Sequence, residues 1–341
     1  MMNRAVWAIA FAAAALAAAM VPGRGQAAQV AVSIDYDTVP RPDGLPDDFQ
    51  APAGTKLGFL VLTALDGAKI DAALWQPANK APGGTTLVIA IHGSGGNYAS
   101  PPGSFAGAGL AQKGYAVLAI NTRGHDRLIN TDNFFDVSRD IGAAVAVGRA
   151  LGFSRLVLWG HSLGNIQVQY YAATNWDPDI KAVALSGMFA NLPWKTRDML
   201  VQDDAAYKSL EDEAAKAVRE GNDDAILPTR MGYTTGDKVP VSARHFLTYR
   251  SDRTSAADGT YWIRRIPKPI LMVRDQSDGL IEPFEPYWLL SAAKSEGSLV
   301  PSIDYVQVPD DHPRSLEGHL FVYRQQQLID TIAAWLAAQK L

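Results

Sequence analysis

Apolar residues follow two different spacings along the chain, and the spacing changes after residue 77. The segment KLGFLVLTALDGAKIDAALWQP, residues 56–77, holds two strand-like runs on either side of Asp66 and Gly67. An Asp-Gly pair between two such runs is typical of a tight hairpin turn. We therefore predict an antiparallel pair of strands at the start of the folded region.

Five short apolar runs follow, and none of them alternates apolar with polar positions. They are TTLVIAIHG, YAVLAINTRG, RLVLWGHS, IKAVALSG and KPILMVRD. Uninterrupted runs of this length are typical of strands that are covered on both faces. Helical spacing occurs between or after them, in VSRDIGAAVAVGRALG, LGNIQVQYYAATN and FVYRQQQLIDTIAAWLAAQ. Strands alternating with helices predict an α/β protein with a mostly parallel sheet and helices on both faces.

Residues 188–267 separate two of these predicted strands by about eighty residues, which is too long for a simple connection. We expect this segment to have structure of its own. Its charged part, QDDAAYKSLEDEAAKAVREGNDDAILPTRM, has a helical pattern in which Gly221 is the stop signal. The prediction is an insertion that divides an α/β core into residues 28–187 and 268–341.

Composition narrows the range of partners. The chain has 341 residues, 48% of them hydrophobic, which is enough for one large core. Its net charge of −4 comes from interspersed acids and bases, so nothing indicates nucleic acid or an anionic membrane surface as a partner. We expect a small molecule or a chain end as the substrate. The absence of cysteine excludes disulfides, a thiol nucleophile and thiolate metal sites.

The first residues, MMNRAVWAIAFAAAALAAAMVPGRGQAAQV, place Arg4 before an uncharged stretch that a Pro-Gly pair ends. This pattern predicts a secretory signal peptide over residues 1–27, cleaved after Ala27 or one residue to either side. An uncleaved membrane anchor is the alternative, although the stretch is mostly alanine. The expected location is periplasmic or secreted, without stable membrane association after cleavage.

The strongest chemical signal is WGHSLGN, residues 159–165. Gly160, His161, Ser162, Leu163 and Gly164 form a G-x-S-x-G pattern with a predicted strand before it and a predicted helix after it. Two glycines permit a tight, strained turn that lifts the serine above the edge of the sheet. The plainer interpretation is a turn serine that caps a helix. The context favours Ser162 as a nucleophile.

The sequence resembles the α/β-hydrolase family from roughly residue 55 to the C-terminus, apart from the insertion. IHGSGGN follows the first predicted parallel strand, NTRGH follows the next, and GHSLG is the elbow. The resemblance implies that the backbone N–H groups of Ser94 and Leu163 form an oxyanion hole. It also implies that residues 188–267 are a helical cap over the active site.

A serine in this position implies an acyl-enzyme formed from an ester, lactone, thioester or amide, and a carboxylic ester is the default. No cofactor or metal is expected. The six histidines are dispersed without an i, i+4 pair, which disfavours a metal-dependent hydrolase. The sequence also leaves open an amidase or peptidase on the same residues, and a non-catalytic binding protein that keeps the fold.

The acid of the triad should follow the strand KPILMVRD, where RDQSDGLIEP offers Asp275, Asp278 and Glu282. By resemblance to the family, the acid lies in a turn a few residues past the strand, before apolar residues and a proline. Asp278 fits, because Leu280, Ile281 and Pro283 follow it. Asp275 is the alternative, and Glu282 is expected to be solvated.

The base should follow the final predicted strand, SIDYVQVP, where His312 and His319 both occur. His319 lies in a Gly-His pair before apolar residues at the start of a helix, which is the pattern that the family most often shows. His312 has Asp310 and Asp311 before it and Pro313 after it, which suggests a solvated turn or a local ion pair. The prediction is a triad of Ser162, Asp278 and His319, with His312 as the alternative base.

The remaining histidines are assigned structural roles. His92 is expected to orient the oxyanion loop, His161 to point away from the line of attack, and His125 and His245 to do no chemistry. The aromatic residues of the insertion are candidates for lining an acyl pocket or for packing inside the cap: Trp194, Tyr233, Phe246, Tyr249, Tyr261 and Trp262.

Overall fold

Ten strands and ten α-helices lie in the part of the chain that the computed structural model describes, residues 44–46, 49–232 and 238–341. The strands are β1 (Thr55–Thr63), β2 (Lys69–Pro77), β3 (Leu87–Ile91), β4 (Ala116–Ile120), β5 (Leu156–His161), β6 (Ile180–Ser186), β7 (Ile226–Met231), β8 (Val239–Ser242), β9 (Ile270–Asp275) and β10 (Ile303–Val308). The helices are α1 (Gly103–Gln112), α2 (Val137–Ala150), α3 (Leu163–Asn175), α4 (Leu192–Lys195), α5 (Asp204–Arg219), α6 (Ala243–His245), α7 (Gly259–Ile263), α8 (Glu285–Ala293), α9 (Leu316–His319) and α10 (Gln325–Ala338). The predicted signal peptide lies outside the described residues.

Eight of the strands form one sheet in the order β1-β2-β4-β3-β5-β6-β9-β10. The pairs β1–β2 and β2–β4 are antiparallel, and every other pair in this sheet is parallel. The predicted hairpin is confirmed, since Thr63 pairs with Lys69 and Gly67 in the turn has a φ of +86°. The predicted mostly parallel α/β sheet is also confirmed.

The apolar runs are uninterrupted because each parallel strand is buried on both faces. Successive residues of a strand point to opposite faces, and Leu158 and Trp159 of β5 belong to different apolar clusters. One cluster includes Ile141 of α2 and Val168 of α3, and the other includes residues of α1 and α10. Helices therefore cover both faces of the sheet, and the loops at the ends of the strands are where polar side chains can form a site.

The ends of the predicted helices differ slightly from those observed. α3 spans residues 163–175, as predicted, but α10 begins at Gln325 and not at Phe321. Phe321 has a φ of +56°, and residues 322–324 form a 3₁₀ turn. A left-handed residue interrupts helical hydrogen bonding, so the last helix starts one turn later than its apolar spacing suggests.

Within the described ranges, residues 188–267 contain four α-helices, two π-helical segments and the two-stranded sheet β7–β8. α5 ends at Arg219, and Gly221 follows with a φ of +75°, which fits its predicted role as the stop signal. Beyond this stop, residues 226–231 pair with β8 as a strand, which the helical pattern of the segment did not predict. Cross-strand pairing there overrides the local pattern.

Buried polar contacts fasten this segment to the rest of the fold. His245 Nδ1 lies 3.0 Å from Asp132 Oδ1, and the Tyr249 hydroxyl donates to Asp132 Oδ2 at 2.5 Å. Lys195 Nζ donates to Glu285 Oε1 at 2.5 Å, with both side chains almost fully buried. Among the described residues, no helix combines the length and apolar character that crossing a membrane requires.

Candidate active site

Ser162 lies on a sharp turn between β5 and α3 and is 8% exposed. Its backbone has a φ of +52° and a ψ of −119°, a region that a residue with a side chain rarely adopts. Its N–H donates to the carbonyl of Ser186 at 3.0 Å, which holds the strained turn against the end of β6. The serine is thus presented at the carboxyl edge of the parallel strands.

Two glycines make this turn sterically possible. A Cβ atom on Gly160 would lie 2.3 Å from the carbonyl oxygen of Gly164. A Cβ atom on Gly164 would lie 2.4 Å from the carbonyl oxygen of Ile91 at the end of β3. Both positions exclude any larger residue, so the two glycines of the G-x-S-x-G pattern serve close backbone packing.

The glycine-rich loop after β3 packs directly against Ser162. A Cβ atom on Gly93 would come within 2.8 Å of Ser162 Cβ, and Gly95 has a φ of +65°. The backbone N–H groups of Ser94 and Leu163 donate to no acceptor among the described residues. Leu163 also opens α3, where the helix dipole favours negative charge. Two free donors thus lie on the two segments that meet beside the serine.

His92 braces this loop. Its Nδ1 lies 2.7 Å from the carbonyl oxygen of Gly93, and its Nε2 accepts from the N–H of Thr122 at 3.0 Å. Because Nε2 is an acceptor, the proton lies on Nδ1 and the ring is neutral. Burial lowers the pKa of His92 to about 4.

Asp278 and His319 form a buried pair. His319 Nδ1 lies 3.0 Å from Asp278 Oδ2, and both side chains are at most 1% exposed. The other oxygen of Asp278 accepts from the N–H groups of Leu280 at 2.9 Å and Ile281 at 3.0 Å. Burial would raise the pKa of Asp278, but the charge and hydrogen bond of His319 and these two amides outweigh it, so the pKa is lowered. The carboxylate is therefore ionised at neutral pH.

The loops that carry this pair interlock. Ser315 N–H donates to the carbonyl of Ser277 at 2.8 Å, and Gly279 N–H donates to the carbonyl of Ser315 at 2.9 Å. A Cβ atom on Gly318 would lie 2.2 Å from Ser277 Oγ and 2.3 Å from its carbonyl oxygen. The glycine before His319 therefore permits close approach of the two loops.

Two arginines hold the acid loop from outside the pair. Arg274 and Arg314 each donate to the carbonyl oxygens of both Asp278 and Ile281, at 2.9–3.2 Å. Neither arginine was predicted from the sequence. Their positions were the available signal, since Arg274 opens the predicted acid segment and Arg314 lies between the two candidate histidines.

The other candidate acids lie elsewhere in the same network. Asp275, at the end of β9, accepts from the N–H and hydroxyl of Ser277 and does not contact an imidazole among the described residues. Burial and the nearby Asp310 raise the pKa of Asp275. Glu282 pairs with Arg314 at 3.5 Å and is partly exposed.

His312 is separate from the buried pair. Its side chain is 43% exposed, its Nδ1 lies 2.6 Å from Asp310 Oδ1, and its ring stacks on Tyr323 at 4.0 Å. Ligand atoms of Asp310, Asp311 and His312 lie within 4.8 Å of one another, close enough to share a cation. Arg324 already pairs with both carboxylates and compensates part of the negative charge of this triplet.

His161 contacts His319, which was not expected from the sequence. The ring centroids lie 4.8 Å apart at a tilt of 45°. His161 Nδ1 is 3.1 Å from Ser186 Oγ, and that oxygen accepts from Trp159 Nε1 at 3.0 Å. Burial, and then the charge of a protonated His319, lower the pKa of His161 well below 6.5.

The serine and the acid–histidine pair thus lie at the same edge of the sheet, since His161 adjoins Ser162 in sequence and its ring contacts that of His319. His319 Nε2 is buried and has no hydrogen-bond partner among the described residues. Hydrogen bonds between a nucleophile and its base are often long before substrate binds, so the open Nε2 is compatible with a base role.

The aromatic candidates divide into two groups. Phe246 and Tyr249 are fully buried within the insertion, whereas Trp194, Tyr261 and Trp262 are partly exposed. Trp194 packs edge-on against Phe284 and Trp288, with centroids at 5.8 and 4.9 Å. Tyr233 lies outside the described residues. Packing therefore accounts for Phe246 and Tyr249, and the other three retain free ring surface.

Comparison with known proteins identifies relatives of the fold. The family model described as the α/β-hydrolase fold matches residues 86–311. No curated protein matches the chain. Among solved structures, Est1E from Butyrivibrio proteoclasticus with ferulic acid bound is 19% identical, with a TM-score of 0.58, and the alignment covers 82% of this chain and 98% of that one.

Two further solved structures align with a similar share of this chain. A hypothetical protein from Pseudomonas aeruginosa is 18% identical with a TM-score of 0.62, over 86% of this chain and 98% of the other. A thermostable carboxyl esterase from Bacillus coagulans, in complex with glycerol, is 15% identical with a TM-score of 0.60, over 84% and 99%. At these identities the likeness concerns the fold.

Proposed function

The chain belongs to the α/β-hydrolase fold family, and from this premise we propose that it is a serine hydrolase that cleaves a carboxylic ester or a related acyl substrate. The observation that carries the proposal is a buried Asp278–His319 pair whose imidazole packs against His161, the residue directly before Ser162 on its strained elbow. Serine, aspartate and histidine in this order along the chain are the arrangement of the fold's hydrolytic triads.

In the proposed mechanism, Ser162 Oγ attacks the acyl carbon while its proton passes to His319 Nε2. The ionised Asp278 holds Nδ1 and stabilises the imidazolium that forms. The oxygen of the tetrahedral intermediate is bound by the N–H groups of Ser94 and Leu163, which have no other acceptor among the described residues. His319 then protonates the leaving alcohol, and a water molecule releases the acid by the reverse sequence.

An ester, lactone or thioester is proposed as the substrate because its leaving group needs little help from an additional acid. The acyl side is expected to be apolar. Leu163 and Leu280 flank the nucleophile and the acid, and both pack against a cluster that includes Phe189 and Ile281. Residues 188–267 are proposed to be the cap that varies with substrate.

The proposal is tested with a fluorophosphonate probe and short-chain p-nitrophenyl esters on the purified protein. We expect stoichiometric labelling at Ser162 and ester turnover, and we expect Ser162→Ala to lower kcat by about a thousandfold or more while the fold is kept. Val157→Ala, a substitution at a buried position of β5, the strand that precedes Ser162, serves as the control for folding. Failure of the wild-type protein both to label and to turn over esters would favour a binding protein.

Export is proposed on the N-terminal pattern of Arg4 followed by an uncharged stretch. The mature form is expected to begin near Ala28 and to be recovered outside the cytoplasm. N-terminal sequencing of the protein from each cell fraction tests this. An intact N-terminus in the membrane fraction would indicate the anchor instead.

A further inference from the structure

The contact between two buried imidazoles beside the serine is not explained by the triad. His161 and His319 lie with ring centroids 4.8 Å apart, and His161 is 3% exposed. A triad needs one imidazole, held at Nδ1 by the acid. Burial of a second histidine costs desolvation free energy, which suggests that this side chain has a role of its own at the site.

The space that the two rings share is kept free by Gly187. A Cβ atom on Gly187 would lie 2.8 Å from Cε1 of His161 and 2.8 Å from Cε1 of His319. Gly187 has a φ of +52°, so its backbone is also unsuited to a side chain. Any other residue at this position would push the two rings apart.

His161 is itself held from its far side. Trp159 Nε1 donates to Ser186 Oγ at 3.0 Å, and the same oxygen lies 3.1 Å from His161 Nδ1. Trp159 is 1% exposed and Ser186 is fully buried, so this chain of contacts begins in the core of the sheet. The contact holds the Nδ1 edge of the His161 ring, and burial of the side chain leaves the ring little room to turn.

The described residues hold His319 through Nδ1, which pairs with Asp278, while Nε2 has no partner. A single hydrogen bond leaves an imidazole free to swing about that bond. The ring of His161 blocks this motion on one side. The ring of Phe321, whose centroid lies 6.4 Å from that of His161, packs next to it.

We propose that His161 is a positioning residue that fixes the orientation of His319, through ring contact supported by Ser186 and Trp159. The inference rests on the proposed function, because it concerns the orientation of the proposed base. The lowered pKa of His161 supports it, because a neutral ring does not repel His319 when that residue accepts the proton of Ser162.

Three variants test the proposal. His161→Ala removes the ring, His161→Phe keeps a ring without nitrogens, and Ser186→Ala removes the support of His161 and leaves both imidazoles in place. We expect His161→Ala to lower kcat by about tenfold to a hundredfold with KM little changed, because orientation of the base matters in the transition state. Ser186→Ala should show a smaller loss of the same kind, and His161→Phe should recover most of kcat.

A spectroscopic measurement separates positioning from general damage. The proton shared by His319 Nδ1 and Asp278 is expected to give a far-downfield NMR resonance in the wild-type protein. It should broaden in His161→Ala and persist in the control Val157→Ala, which opens a cavity on the same strand without touching either imidazole.

The outcomes are distinguishable from failure of the proposed function. If the wild-type protein turns over no ester and does not label, both proposals fall. If the wild type is active but His161→Ala and Ser186→Ala keep both kcat and the resonance, only the role of His161 is overturned. If His161→Phe is as impaired as His161→Ala while folded, the ring contact is not what positions His319.

Discussion

His319 Nδ1 and Asp278 Oδ2 lie 3.0 Å apart although 41 positions separate the two residues in sequence. Asp278 follows β9 and His319 closes α9, and the neighbouring parallel strands β9 and β10 bring these loops to one edge. Backbone hydrogen bonds between Ser277, Gly279 and Ser315 fix the distance between them. The pair is therefore positioned by the backbone and not by the two side chains alone.

This geometry gives opposite expectations for the two histidines near the C-terminus. His319→Ala should lower kcat on an activated ester by about a thousandfold or more, because it removes the proposed base. His312→Ala should stay within a few-fold of wild type, because the His312 ring is exposed and stacked on Tyr323. Assays of both variants at neutral pH are sufficient, and the reverse ranking would identify His312 as the base.

The two aspartates are expected to differ in a similar way. Asp278→Asn should lower kcat by about a thousandfold to ten-thousandfold, because the amide oxygen takes the N–H groups of Leu280 and Ile281 and the NH2 group then faces Nδ1, which favours the wrong tautomer of His319. Asp275→Asn should keep most of the activity. Comparable losses in both variants would mean that Asp275 also acts on the imidazole.

Stability should also distinguish Asp275. Its pKa is raised by burial and by Asp310, so its charged form destabilises the fold above that pKa. Asp275→Asn should therefore unfold at a higher temperature than wild type at neutral pH, and the gain should vanish below the ordinary pKa of 3.8. Melting temperatures of wild type and variant at about pH 7, where the carboxylate is charged, and at about pH 3, where it is protonated, test both expectations. A loss of stability at neutral pH would show that the carboxylate is needed.

The sequence was sufficient for the sheet because its strands are buried on both faces and leave an unmistakable apolar pattern. The elbow at Ser162 was recognisable for a related reason, since a Cβ atom on either of its glycines would lie within 2.4 Å of a backbone oxygen. The strand at Ile226–Met231 was missed because its pairing with β8 is not a local property of the sequence.

The contacts around the pair could not be predicted, for a different reason. Arg274 and Arg314 act through the carbonyl oxygens of Asp278 and Ile281, and a backbone acceptor has no residue type to recognise. The contact of His161 with His319 depends on how two separate loops meet at Gly187. Local patterns therefore predicted the candidate residues, and only the fold revealed what holds them.

Close packing at Gly318 leads to a prediction of its own. Gly318→Ala would place Cβ against Ser277 Oγ and its carbonyl oxygen, so the acid and base loops must separate. We expect a lower melting temperature and a kcat reduced by about tenfold or more, since small displacements of a base are costly. Gly84→Ala is the matched control, because a Cβ there meets nothing within 4 Å. Equal behaviour of the two variants would contradict the interlocked loops.

Two buried histidines, His161 and His245, and the half-buried His92 should make the protein sensitive to mild acid. Burial lowers the pKa of His92 to about 4, and it also lowers the pKa values of His161 and His245. In the unfolded chain each of these rings takes up a proton near pH 6.5, whereas the folded protein resists protonation. The unfolded state therefore binds more protons below about pH 6.5, and the free energy of unfolding should fall as the pH is lowered from there towards about 4.

His245 offers the cleanest test of this acid sensitivity because it lies in the insertion and contacts Asp132 and Tyr249, neither of which belongs to the proposed triad. His245→Gln keeps a polar group within reach of Asp132 but no longer titrates in this range. We expect the variant to be less stable than wild type at about pH 7.5, since the ring also stacks on Tyr249 at 4.2 Å. Between about pH 6.5 and 5, however, its free energy of unfolding should decline less steeply than that of wild type. The difference in slope should be up to about 1.4 kcal/mol per pH unit, which corresponds to one bound proton. Urea unfolding at several pH values gives both slopes, and identical slopes would show that His245 binds protons equally in the folded and unfolded states.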